Sequence, residues 1–188
     1  MAQRRAGQQR IAPYVVLIGF KGCGKTTVGR LLAELLERPF QDLDILLEAT
    51  YTERYGSQRG FREIFRERGE NFFRGLERQC LATAMSGIPK VLALGGGTPI
   101  NCRDELEAAE PSVTICLIYV RPQVLLQRIL ANGLPAFFDS ANPEASFRRL
   151  YRQRLPRYRG IAQHVVDNSD CTPNETARQL AKMITAPR

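Results

Sequence analysis

The sequence lacks the usual marks of a secreted, membrane-spanning or metal-clustered protein. No apolar segment approaches the roughly 20 residues that a membrane-crossing helix needs. Arginines followed by Tyr14–Phe20 faintly imitate a signal peptide, but Lys21 interrupts the run and no small-residue cleavage site follows, so export is not expected. The five cysteines (Cys23, Cys80, Cys102, Cys116, Cys171) include no C-x-x-C pair. Such an odd, scattered set excludes a disulfide framework or zinc site and suits a reducing cytoplasm. His164 is the single histidine, lies in a strand-like stretch, and reads as structural. Repeats and low-complexity tracts are absent, which excludes a repeat architecture.

Acidic residues are also in short supply, 19 against 27 cations, for a formal net charge of +8. Nearly all the cations are arginine, whose planar fork suits phosphate and carboxylate recognition. The same excess can serve nucleic acid, so charge alone does not choose a partner. Part of it (Arg4, Arg5, Arg10) belongs to a basic N-terminal tail over residues 1–12. The 188 residues, 44% hydrophobic and 24% charged, suffice for one domain with a real core.

What is present centres on Gly19-Phe20-Lys21-Gly22-Cys23-Gly24-Lys25-Thr26-Thr27, which fits the phosphate-loop pattern G-x-x-x-x-G-K-[ST]. Glycines let backbone N–H groups curl around a polyphosphate. Lys25 can reach the β- and γ-phosphates, and the Thr26 hydroxyl can ligate the accompanying Mg²⁺. The flanks agree. Tyr14–Ile18 is a short apolar run that reads as a buried strand, and Val28, Leu31, Leu32, Leu35 and Leu36 repeat at helical spacing before Pro39.

Further on, Pro39–Ile45 reads as a short second strand, Val91–Leu94 as a third, Val113–Val120 as a fourth and His164–Asp167 as a fifth. Helices are expected between them, at Gly69–Met85, Arg103–Ala109, Pro122–Leu130 and Glu144–Leu155. Thr172-Pro173-Asn174-Glu175 forms a capping box that opens a last helix to Ile184. Strands alternating with helices predict an α/β fold with a parallel sheet covered on both faces.

Four constellations stand out beyond the loop. Asp42-x-Asp44 ends the second strand, at the edge where parallel sheets bind ligands, and strand alternation sends both carboxylates to one side. The pair reads either as catalytic acids, one near metal and one accepting a hydroxyl proton, or as two solvent-facing acids. Arg74, beside Phe72 and Phe73 and braced by Glu77, is either a rigid carboxylate clamp or a surface ion pair. Gly95-Gly96-Gly97 after a strand favours close approach of a ligand over a simple turn. Arg148, Arg149, Arg152, Arg154, Arg157 and Arg159 form either a solvated helix face or a lid segment that brings cations over phosphates.

Together these motifs resemble the shikimate kinase family over Tyr14–Ile184. The carriers are the Gly19–Thr27 loop, Asp42-Leu43-Asp44, Glu63-Ile64-Phe65, Gly69-Glu70-x-x-Phe73-Arg74-x-x-Glu77, Leu94-Gly95-Gly96-Gly97 and Arg154-x-x-x-Tyr158. The resemblance implies a three-layer α/β/α P-loop kinase fold with a five-stranded parallel sheet in order 2-3-1-4-5. It implies a single kinase domain over 1–188, with a substrate-binding region at 45–86 and a mobile lid at 131–146. The implied reaction is ATP-dependent phosphorylation of the 3-hydroxyl of shikimate with Mg²⁺.

The implied roles follow residue by residue. Gly22, Cys23, Gly24, Lys25, Thr26 and Thr27 bind the nucleotide, and Arg128 packs on the adenine. Lys25 and Asp44 are catalytic, Asp44 helping to deprotonate the acceptor, while Thr26 and Asp42 serve the metal. Arg74 and Arg154 clamp the shikimate carboxylate, Phe65 and Phe73 form an apolar wall, and Gly95, Gly96 and Gly97 line the pocket. Monomer is the expected state, with a homodimer as the alternative; no membrane or nucleic-acid partner is expected.

Two departures from the family pattern carry consequences. The lid place where this family usually carries Arg-Pro-Leu-Leu is held by Leu134-Pro135-Ala136-Phe137, which removes a cation from the transferring phosphate. Arg148, Arg149 and Arg152 are the nearest substitutes. The segment around Tyr51–Gly60 is also longer than usual. The alternatives are a kinase of another small hydroxy acid such as gluconate, and a nucleotide-binding regulatory module with weak or no phosphoryl transfer.

Overall fold

A computed structural model of the chain describes residues 12–134, 138–139 and 141–186. Most of the basic tail, and Pro135, Ala136 and Phe137 of the lid, lie outside the described residues. Five strands, β1 (Tyr14–Ile18), β2 (Phe40–Asp42), β3 (Lys90–Ala93), β4 (Val113–Tyr119) and β5 (His164–Asp167), form one sheet in the order β2-β3-β1-β4-β5. Every pairing is parallel, so all five carboxyl ends share one edge. β1 is central and wholly buried, as expected for a strand covered on both faces.

The helices are α1 (Lys25–Leu35), α2 (Leu43–Tyr55), α3 (Phe61–Ala84), α4 (Thr98–Asn101), α5 (Arg103–Ala108), α6 (Pro122–Ala131), α7 (Pro143–Ile161) and α8 (Pro173–Thr185). α1 buries Val28 and Leu32 against the sheet, and Gly29 lets it close on β2. A Cβ at Gly29 would stand 2.5 Å from Cε2 of Phe40. The capping box predicted for the last helix is present, with Thr172 Oγ1 accepting from Glu175 N and Thr172 N donating to Glu175 Oε2.

Three expectations need correction. β2 stops at Asp42, whose carboxylate caps α2 by accepting from the N–H of Asp44 at 3.1 Å. Asp44 therefore sits in the first helical turn, and strand alternation does not bring the two acids together; the cap does. The helix expected from Gly69 starts earlier, at Phe61, and only kinks at Gly69, where φ is 79°. The helix expected to end at Leu155 continues through Pro156 to Ile161. Tyr158 and Ile161 are buried on that extra turn, and this packing outweighs the one helical hydrogen bond that proline removes.

The longer segment after Tyr51 is ordered structure. α2 runs on to Tyr55 and ends at Gly56 in the left-handed region. Tyr51, Tyr55 and Phe72 pack ring to ring, and the Arg68 guanidinium lies 5.0 Å from the Tyr55 ring and 4.6 Å from that of Phe72. Glu48 Oε1 accepts from the N–H of Phe61, tying α2 to the start of α3.

A candidate phosphoryl-transfer site at the carboxyl edge of the sheet

The phosphate loop leaves β1 and runs into the N-terminus of α1, where helix dipole and free N–H groups favour an anion. Gly22 and Gly24 take φ values of 82° and 100°, which only glycine adopts cheaply. Phe20 anchors the loop, stacking on Tyr151 at 4.9 Å and meeting Tyr158 edge-on at 5.2 Å. Lys25 Nζ donates to the carbonyls of Gly19 and Phe20 at 3.0 and 2.9 Å. Its ammonium is thus held over the loop, between carbonyls that a phosphate oxygen can replace. Thr26 Oγ1 donates to Asp42 Oδ2 at 2.9 Å, and Thr27 is exposed beside it.

The glycine run after β3 is the meeting point of the acceptor side. A Cβ at Gly95 would stand 2.6 Å from Asp44 Oδ1, one at Gly96 3.2 Å from Arg154 Nη1, and one at Gly97 3.5 Å from Arg74 Nη1. Three successive glycines therefore face three different side chains, each singled out in the sequence. Gly96 is also 3.8 Å, by the same measure, from the Gly19 carbonyl, so the run borders the phosphate loop. Tyr158, in the Arg154-x-x-x-Tyr158 pair, donates its hydroxyl to the Gly96 carbonyl.

Arg74 is held from behind. Arg74 Nη1 pairs with Glu77 Oε2 at 2.9 Å, and Glu77, only 4% exposed, accepts from Thr98 Oγ1 at 2.6 Å. Phe65 and Phe73 meet edge to face at 5.4 Å, with the Arg74 guanidinium within 5.7 Å of both rings. Among the described residues, Arg74 Nε is buried and has no hydrogen-bond partner. A buried guanidinium N–H of this kind is a donor without its acceptor. Arg154 reaches the run because Phe147, Tyr151, Arg154 and Tyr158 share one face of α7. Arg148, Arg149 and Arg152 are exposed on other faces, where Arg148 pairs with Glu144.

Asp44 carries the most perturbed acid. Burial, then the neighbouring Asp42 carboxylate, push its pKa from 3.8 up to about 6, with Lys25 opposing. A carboxyl that titrates this close to neutrality is suited to proton transfer at physiological pH.

The matched family model is the shikimate kinase family, over residues 21–185. The chain belongs to the shikimate kinase family. It is 38% identical over 175 residues to the shikimate kinase of Salinispora tropica, covering 93% of this chain and 99% of that one. It is 37% identical to that of Thermobifida fusca, covering 93% and 96%. The solved shikimate kinase from Acinetobacter baumannii in complex with shikimate superposes with a TM-score of 0.78 at 31% identity, covering 92% and 93%. The observed strand order is the one this family resemblance implies, with helices on both faces of the sheet.

Set against the family pattern, the predicted site residues gather at one edge, and two further residues join them. Lys21 occupies a variable position of the loop motif, at the corner of the turn that the Cys23 N–H closes on the Phe20 carbonyl at 3.2 Å. Burial and the nearby Arg62 guanidinium lower its pKa, while the Asp44 carboxylate raises it. Lys21 is therefore a second lysine on the phosphate loop, close enough to the Asp44 carboxylate to feel its charge. Asn168, just after β5, donates its side-chain Nδ2 to the Cys23 carbonyl at 2.8 Å. Arg128, half-buried, donates to the carbonyls of Asn168 and Ser169 at 2.9 and 3.1 Å, which fixes its guanidinium beside the loop. Leu134 is described and 39% exposed; it presents no charge.

Proposed function

We propose that the chain transfers the γ-phosphoryl group of ATP to the 3-hydroxyl of shikimate. The convergence of Asp44, Arg154 and Arg74 on Gly95–Gly97, beside the phosphate loop, is the observation that carries this reading. It supplies a compact acceptor pocket with a base at one end and two guanidinium groups for a carboxylate at the other. A compact ring acid with a hydroxyl opposite its carboxylate fits that polarity.

The residues act as follows. Loop amides from Gly22 to Thr27 and the Lys25 ammonium bind the polyphosphate and stabilise charge on the γ-phosphoryl oxygens. Arg128 lies against the adenine. Arg74 and Arg154 grip the carboxylate in bidentate fashion, using the unpaired Nε of Arg74, while Phe65 and Phe73 cover the ring. Asp44 accepts the 3-hydroxyl proton as that oxygen attacks the γ-phosphorus. The new O–P bond forms as the bond from phosphorus to the β,γ-bridging oxygen breaks, and ADP leaves with that oxygen. Lys21 adds a cation at the acceptor end, where the lid contributes Leu134 in place of arginine.

Thr26 and Asp42 are suited to hold Mg²⁺. They offer few, hard oxygen donors beside the phosphate loop, the arrangement Mg²⁺ takes when substrate phosphates and waters complete its shell. When bound, the ion neutralises charge on the β- and γ-oxygens. The reading includes a cytoplasmic monomer, supported by five free thiols and by a site assembled within one chain. Among the described residues no helix is long and apolar enough to cross a membrane.

A coupled assay of ADP release tests the reading. Turnover with ATP should require shikimate and remain at background with gluconate. Equal rates with and without shikimate would refute it.

A further inference from the structure

We propose that Asn168 is a positioning residue of the phosphate loop, whose carboxamide selects the orientation of the Cys23–Gly24 peptide and so aims the Gly24 N–H at the nucleotide phosphates. This rests on the nucleotide-binding reading of the loop. Asn168 is 4% exposed and lies 145 residues from its loop partner. Its Nδ2 donates to the Cys23 carbonyl at 2.8 Å, and its Oδ1 accepts from Thr176 Oγ1 at 2.6 Å.

The direction of both bonds is forced. The Cys23 carbonyl is a pure acceptor, so the amino end of the carboxamide must face it. That leaves Oδ1 toward the Thr176 hydroxyl, which must then donate. Thr176 has an alternative acceptor, the Thr172 carbonyl, at a longer 3.2 Å. In a trans peptide the C=O and the following N–H point in opposite directions. Pinning the Cys23 oxygen toward Asn168 therefore turns the Gly24 N–H away from Asn168, into the concave side of the loop. A flipped peptide would place a carbonyl oxygen there, facing an anion.

The geometry also explains Gly24. A Cβ at that position would stand 2.8 Å from Asn168 Nδ2, so glycine is required by the approach of this side chain as well as by its φ of 100°. Asn168 is itself fixed. Its N–H donates to the Tyr119 carbonyl at 2.8 Å, and its carbonyl accepts from Arg128 at 2.9 Å. The same residue thus supports the phosphate loop through its side chain and Arg128 through its backbone.

The test compares Asn168→Ala, Asn168→Asp and Thr176→Val with the unmodified protein. Asn168→Asp keeps the shape but turns an acceptor toward the Cys23 carbonyl. Calorimetric titration with ATP and with inorganic tripolyphosphate reads the loop, and KM for shikimate reads the acceptor pocket. Losing one buried hydrogen bond predicts affinities for both phosphates about tenfold weaker in Asn168→Ala, and weaker still in Asn168→Asp. Thr176→Val should lose about threefold, and KM for shikimate should stay within twofold in all three. Phosphate affinities within twofold of the unmodified protein, or a shikimate KM that rises by the same factor, would overturn the assignment. If the Asn168 variants do not fold, Thr176→Val decides between the same two outcomes. Failure of the unmodified protein to bind tripolyphosphate would overturn the loop reading and this one together; equal binding by all four would overturn the role of Asn168 alone.

Discussion

Replacing Asp44 by asparagine should make the protein more stable while abolishing its reaction. Asp44 is held against Gly95 and beside Asp42, so its charged form is disfavoured in the fold and its pKa rises from 3.8 to about 6. At pH 8 the folded chain carries that charge at a cost the unfolded chain avoids. Converting the rise at about 1.4 kcal/mol per pH unit gives about 3 kcal/mol of destabilisation. Below about pH 3 both states hold the proton and the cost vanishes. Asparagine is neutral throughout, so Asp44→Asn should gain about 3 kcal/mol at pH 8 and almost nothing at pH 3. For a chain of this length that corresponds to a rise in Tm of about 6–12 °C at pH 8. Chemical denaturation of both proteins at the two pH values measures the difference directly. An Asp44→Asn protein no more stable than the parent at pH 8, or equally stabilised at both pH values, would refute the electrostatic account of the site.

The same titration sets the lower limb of the activity profile: kcat/KM for shikimate should fall about tenfold per pH unit below about pH 6, as Asp44 takes up the proton that blocks it from acting as base. A flat profile between pH 5 and 7 would remove Asp44 from the role. Arg154→Ala deletes a charge-assisted contact worth about 1.5–3 kcal/mol, so KM for shikimate should rise about tenfold or more with KM for ATP unchanged; parallel changes in both would contradict the carboxylate clamp. Lys21→Met should lower kcat about tenfold, and adding Leu134→Arg in that background should restore much of it. Loss through KM alone would show that Lys21 binds substrate without serving phosphoryl transfer.

The phosphate loop and its flanking strand and helix were legible because their signals are local. Four specified motif residues, an apolar run and a helical repeat sit within one short stretch. The glycine run after β3 was legible as a place of close approach, although only the structure pairs Gly95, Gly96 and Gly97 with Asp44, Arg154 and Arg74. Asp42-x-Asp44 was placed at the carboxyl edge of the sheet, where the structure has it, but with the wrong local geometry. An aspartate that ends a strand also makes a strong helix cap, and the cap at Asp42 won. A capping reading of Asp42 was available in the sequence, since Leu43, Leu47 and Tyr51 continue at helical spacing.

Other residues were invisible for a physical reason. Asn168 hydrogen-bonds a loop at the opposite end of the chain, Thr176 bonds the Asn168 carboxamide behind it, and no local pattern marks such contacts. Their only sequence signal is position, Asn168 just past the carboxyl end of the last strand and Thr176 in the first turn of α8. Lys21 was masked by occupying a motif position open to any residue. Arg128 and Arg154 were placed through family resemblance; periodicity alone leaves both among ordinary helix-surface arginines. The end of α7 lies beyond the expected Leu155, because the turn after Pro156 buries a tyrosine and an isoleucine.

The central claim is that the pocket formed by Asp44, Arg74, Arg154 and Gly95–Gly97 presents one hydroxyl of shikimate to ATP. Phosphorus NMR of the reaction mixture, with proton coupling retained, tests it most directly. The account predicts a single phosphate ester coupled to the proton at carbon 3, formed in step with ADP and absent with Asp44→Asn. Orthophosphate in place of an ester, or an ester on another hydroxyl, would contradict it.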